Sequence, residues 1–182
     1  MPVQPRIREV IDYLDTQRAA LADALAAVPA ARRDTRPAPD RWSAAEVVEH
    51  LQRVEEAVAG LLRAKVMEAR AAGLGTESSA EAVVPTVAVE RVMDRSRPLT
   101  ASEMSSPTGA LDADAAWARL ARTRDELRAW IGEQDGAALG DVVIPHPVLG
   151  PQDVYQWLVF IGGHEGRHAG QLREIAASSA SA

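Results

Sequence analysis

Apolar residues recur at steps of three and four over four long stretches of this chain, and the segments between them lose the rhythm. Such spacing gathers the apolar side chains on one stripe of an α-helix. From about Pro5 to Ala27, Ile7, Val10, Ile11, Leu14, Leu21 and Leu25 form one stripe with charged residues opposite, predicting an amphipathic first helix that packs and does nothing else. Pro29 to Arg41, with three prolines, reads as a connection. A second helix is expected after Trp42, because Ser43 followed by Glu46 is a capping box; its inward stripe is Val47, Leu51, Val54, Val58, Leu61 and Leu62. A third runs from Asp112 or Asp114 to Ile131, with Trp117, Leu120, Leu127 and Ile131 in phase. The fourth begins near Pro151 and carries Trp157, Ile161, Leu172 and Ile175, leaving Ala176 to Ala182 to fray.

These elements predict an all-α fold, a four-helix bundle with a long crossover between the second and third helices. Over residues 74–110 the periodicity gives way to prolines, glycines, serines and threonines, and a crossover of that length either bridges distant bundle ends or covers a site. Within it, Val83 to Met93 reads as a short helix or as an extended piece. The connection before the fourth helix is rich in glycine and proline, and His146 lies in it between two prolines, as a packing residue or at the mouth of a site.

Several polar residues interrupt the apolar stripes. His164 and His168 share the inward face of the fourth helix at i, i+4, one turn apart, close enough to share one metal ion. His50 borders the second helix's stripe, so three of the four histidines aim inward. Three neutral imidazoles make a three-ligand site for a borderline divalent ion such as zinc or nickel, with positions left open for water or substrate. Glu55 lies at the other edge of the His50 face, whereas Glu49 and Glu56 are expected in solvent. Arg124 sits on the third helix's stripe and cannot shed its charge, so it requires a partner. Glu55 is one candidate, and a bound anionic substrate is the other.

Composition narrows the picture. With 182 residues, 47% of them hydrophobic, the chain is long enough for one domain that buries roughly 70% of its unfolded surface. A net charge of −6 argues against nucleic acid or an anionic membrane as the main partner. Lys65 is the only lysine, so the arginine abundance reads as the coding bias of a GC-rich genome rather than as a functional stripe. The chain lacks cysteine, which leaves histidines and carboxylates as metal ligands. The start, MPVQPRIREV, has no signal-peptide core and no run reaches membrane-spanning length, so the expected location is cytoplasmic.

Three stretches carry a resemblance: RWSAAEVVEHL, the proline-punctuated crossover, and HPVLGPQDVYQWLVFIGGHEGRHAGQL. In order and context they resemble the DinB superfamily of metal-binding four-helix bundles, over about residues 5 to 176. The resemblance implies metal ligands at His50, His164 and His168, with Trp42, Ser43 and Gln171 as matching supporting positions. It also implies a long crossover between the second and third helices, and homodimerisation. It supplies no substrate, since members with an assigned activity are often thiol-dependent transferases or isomerases.

The expectation is therefore a metalloprotein holding one divalent ion, zinc or nickel, or else iron or manganese. As an enzyme acting on a small molecule, it would use the ion to lower the pKa of a bound water, for hydrolysis, or of a low-molecular-weight thiol, for transfer or isomerisation. Glu165, Glu55, Arg124 and His146 are the groups that would complete the site. The alternative is a non-catalytic, metal-stabilised module that binds a small molecule or metal. A remoter reading is a zinc protease, because His164 to His168 also satisfies HExxH. Gln171 and Glu174 stand where the longer protease motif needs glycine and histidine, and Glu165 lies about 100° round the helix from His164.

Overall fold

The computed structural model describes residues 3–96 and 100–180, and these residues are mostly helical. Four long helices are α1 (Pro5–Ala26), α2 (Ala44–Ala71), α4 (Ala113–Glu133) and α5 (Val154–Ala180); a short helix, α3 (Val89–Met93), lies in the crossover. Each long helix starts where a side chain answers its free N–H groups. Gln4 accepts from Arg6 and Ile7 at α1, and Asp112 accepts from Ala115 at α4. At α2 the Ser43–Glu46 capping box forms as the sequence predicts.

Two boundaries differ from the sequence reading. Residues 143–153 are not irregular: Val143–His146 (β1) and Gly150–Asp153 (β2) form an antiparallel hairpin, so a small sheet accompanies the helices. Pro151 consequently sits in β2, and α5 begins at Val154. Its start is fixed by a second reciprocal cap, with Gln156 N donating to Asp153 Oδ1 at 2.9 Å and Asp153 N to Gln156 Oε1 at 3.0 Å. The second correction concerns the tail, where helix continues to Ala180; residues 181–182 lie outside the described part. Val83 to Met93 becomes a single 3₁₀ turn, Val84–Thr86, followed by α3.

Helix α1 lies along α5 and α2 along α4, and the interior divides into two apolar clusters stacked along the helices. One holds Leu14, Leu62, Leu127 and Leu158; the other holds Leu21, Leu51, Leu120 and Leu172. Between them every long helix contributes one charged side chain: Arg18 from α1, Glu55 from α2, Arg124 from α4 and Glu165 from α5. The core thus has a polar middle layer. Close helix approach depends on glycine in α5, since a Cβ at Gly162 would stand 2.6 Å from the Tyr13 ring, and one at Gly166 would stand 2.7 Å from Met93 Cε. The second of these contacts brings α3 down beside the histidine-bearing turns. The hairpin is fastened to α5 by Trp157, whose indole N–H donates to Ile144 O at 3.2 Å.

Candidate metal centre

His50 lies two turns into α2, and His164 and His168 lie one turn apart on α5 at the level where the polar layer meets the crossover. Their Nε2 atoms converge: His164 Nε2 is 3.3 Å from that of His50 and 3.1 Å from that of His168. The outward nitrogens are held. His50 Nδ1 donates to Ser105 O at 2.7 Å, and His168 Nδ1 to Gln171 Oε1 at 2.8 Å. A carbonyl oxygen can only accept, so these two rings carry their protons on Nδ1 and turn the Nε2 lone pairs inward. Lone pairs facing one another at such distances repel unless a proton or a cation lies between them.

Electrostatics keeps all three rings neutral. Burial pushes the His168 pKa down to about 3, with His50 adding to the effect. His164, half-buried as a residue, is driven well below its ordinary value by burial and then by His168 and His50. Burial lowers His50 as well. Neutral imidazoles, two of them buried with preset tautomers, are a donor set suited to a borderline divalent ion, and together these three could hold one.

The cluster opens onto a cavity of about 440 Å³. Its walls are mainly apolar, with Trp42, Val58, Val92, Trp157 and Phe160 among them, and the crossover closes one side through Thr100 to Ser105. Arg53 fastens that side by donating to Met104 O at 2.8 Å. A second cavity, about 450 Å³, is polar, lined by Asp40, Arg41, Arg95, Gln171 and Glu174. Trp42, Arg167 and His168 border both chambers.

A family model described as the DinB superfamily matches residues 8–172. The chain belongs to the DinB superfamily. It is also similar to the uncharacterised protein YuaE of Bacillus subtilis (strain 168), with 30% identity over 144 residues that cover 77% of this chain and 80% of the relative. No solved structure matches it.

In this DinB chain the carboxylates and arginine singled out in the sequence lie in the polar layer rather than on the cavity wall. Arg124 Nε donates to Glu55 Oε1 at 2.7 Å, and its Nη2 donates to Glu55 Oε2 at 3.0 Å, so Glu55 is the partner that Arg124 required. Glu165 turns away from the histidines toward Arg18 and Arg124, at 2.7 and 3.2 Å. Neither it, Glu55 nor Arg124 lines either chamber. His146, at the end of β1, does line the apolar one.

Glu49 is a correction. Expected in solvent, it is only 4% exposed, because it accepts hydrogen bonds from Thr108 N, Thr108 Oγ1 and Gly109 N and so pins the end of the crossover to α2. Glu56, by contrast, is exposed as expected. Helical periodicity cannot reveal a partner that arrives from a loop nearly 60 residues away. Arg18 was overlooked although its signal was present: it stands four residues after Leu14 and three before Leu21, on the stripe itself.

Proposed function

We propose that this protein is a metal-dependent enzyme built on a DinB-type four-helix bundle, with a small, largely apolar molecule as substrate. His50, His164 and His168 would hold one divalent ion, zinc or nickel. The observation that carries this reading is the convergence of three neutral imidazole Nε2 atoms, those of His50 and His168 fixed in tautomer, at the wall of an apolar cavity. A structural site would be closed by a fourth protein ligand, whereas three ligands facing a chamber leave room for a reactant. When bound, the ion supplies Lewis acidity, which lowers the pKa of a coordinated water or thiol toward neutrality.

Of the two chemistries, the paired chambers favour transfer from a low-molecular-weight thiol. A polar thiol suits the chamber of Arg41, Arg95 and Gln171, an apolar electrophile suits the chamber of Trp157 and Phe160, and His168 and Trp42 stand between them. Ser105 and Gln171 would orient the ligands, while Glu165, Glu55 and Arg124 would set the spacing of the helices that carry them. Homodimerisation, implied by the family, is part of the same proposal and is read by sedimentation velocity.

Elemental analysis of protein purified without an affinity tag tests the centre. About one equivalent of a divalent metal in the wild type, absent from His168→Ala, is expected. No metal in either, with no uptake on titration at neutral pH, would refute the reading. Incubation with a thiol and an electrophile then tests the chemistry, since transfer consumes thiol and hydrolysis does not.

A further inference from the structure

His146 takes no part in the nitrogen cluster, yet its ring lines the same apolar chamber. It sits between Pro145 and Pro147 where β1 ends, paired with Gly150 across the hairpin. The turn leaves two backbone N–H groups without partners in the sheet, and both are answered by this side chain: Val148 N and Leu149 N each donate to His146 Nδ1 at 3.1 Å. A ring nitrogen that accepts hydrogen bonds carries no proton. The imidazole is therefore neutral, with its proton on Nε2.

That second nitrogen makes no hydrogen bond among the described residues, and it is not sealed away from the chamber that the ring lines. The ring itself cannot swing freely. Trp157 and Phe160 hold it at centroid distances of 4.5 and 4.3 Å, and Phe160 in turn stacks on His164 at 5.6 Å. An N–H donor of fixed direction thus stands in an aromatic wall, one ring removed from the converging histidines.

We propose that His146 is a positioning residue: its Nε2–H donates to an acceptor oxygen on a small apolar ligand and so orients that ligand beside the three-histidine centre. The inference rests on the reading of this chamber as a substrate site. It narrows the ligand class to compounds with an aromatic or branched aliphatic body and a carbonyl-type acceptor, because the walls offer apolar contact and His146 offers a single preset donor. A ligand lacking the acceptor would leave that donor unpaired once water is displaced.

Acetophenone and α-methylstyrene test this, having nearly one shape and differing in C=O against C=CH₂. Trp42 and Trp157 border the chamber, so binding is read as quenching of tryptophan fluorescence, in zinc-loaded and in metal-free protein. Wild type is expected to prefer acetophenone by about fivefold, the worth of one neutral hydrogen bond. In His146→Asn the Oδ1 atom replaces Nδ1 as acceptor for the turn while the distal donor is lost. The preference should fall to about one, with zinc content unchanged. Nitrogen NMR of the wild type should find the His146 proton on Nε2, a readout that needs no variant.

A preference retained in His146→Asn, no preference in wild type, failure of both probes to bind at millimolar concentration, or a proton on Nδ1 would each overturn the proposal. A preference that survives metal removal and vanishes in the variant supports it even where zinc fails to bind, so the two readings fail separately.

Discussion

Replacing Arg124 by methionine removes one cation from the polar layer and keeps the apolar stem. In the wild type the guanidinium makes two hydrogen bonds to Glu55, one to Leu14 O and an ion pair with Glu165 at 3.2 Å. Glu55 is 2% exposed, so its carboxylate cannot fall back on water and would keep only Arg18, at 3.1 Å. Breaking a buried pair from one side costs about 3–5 kcal/mol, since the other charge is left uncompensated. In a chain of this size that is a fall in Tm of roughly 6–20 °C. Urea denaturation at pH 7 with a chelator present, so that metal linkage does not mask the loss, is the assay.

The pH dependence provides a second check. Burial already raises the Glu55 carboxyl above its ordinary value of 4.5, against the opposing pull of Arg124. Without Arg124 it rises further. A group whose folded pKa is raised favours the fold below its unfolded value and loses that contribution as pH rises through the folded one. The deficit of the variant should therefore be largest at pH 7 and shrink toward pH 5. Replacing Glu55 and Arg124 together by apolar residues leaves Arg18 and Glu165 paired at 2.7 Å and should recover most of the loss. A single-variant deficit under about 1 kcal/mol at pH 7, or one that grows on acidification, would refute the account of this layer as a structural charge network.

Zinc at a hundredfold excess over its Kd should stabilise the wild type by about 2.7 kcal/mol and leave the melting of His50→Ala unmoved. Ser43→Ala should cost about 1 kcal/mol by chemical denaturation, because it removes the acceptor for Glu46 N. Burial alone would raise the Glu46 carboxyl, but hydrogen bonds from Arg36 and Ser43 hold it below 4.5. Its contribution is then full above that value and lost as pH falls through the lowered one, so wild type should lose more Tm between pH 5 and 3 than Glu46→Gln does. Gly162→Val should destabilise by about 1–3 kcal/mol through overpacking, because α1 and the Tyr13 ring occupy the space; a neutral effect in denaturant melts would contradict that packing.

The four long helices were legible in the chain because a helix buries one stripe, and the stripe repeats every three or four residues whatever it packs against. Ser43 and Glu46 marked the start of α2 for a similarly local reason, since a capping box is complete within four residues. His50, His164 and His168 stood out as polar residues on apolar faces, and Arg124 announced its need for a partner. What remained hidden depends on segments far apart in sequence meeting in space. The acceptor for His50 is a carbonyl of Ser105, and the shelter of Glu49 is the backbone at Thr108 and Gly109. The hairpin at 143–153 was masked by its prolines and by a ladder of only four residue pairs, too short for alternation to register. Glu165 shows the limit most directly. The motif HExxH offers it as a base, and its position on the helix permits that; only the packing of α1 against α5, with Arg124 reaching across the interior from α4, turns it toward Arg18 and Arg124 instead. Periodicity is a property of one element, so the sequence could determine which residues face inward; which neighbours they find there depends on how the elements pack, and the tertiary structure alone decided it.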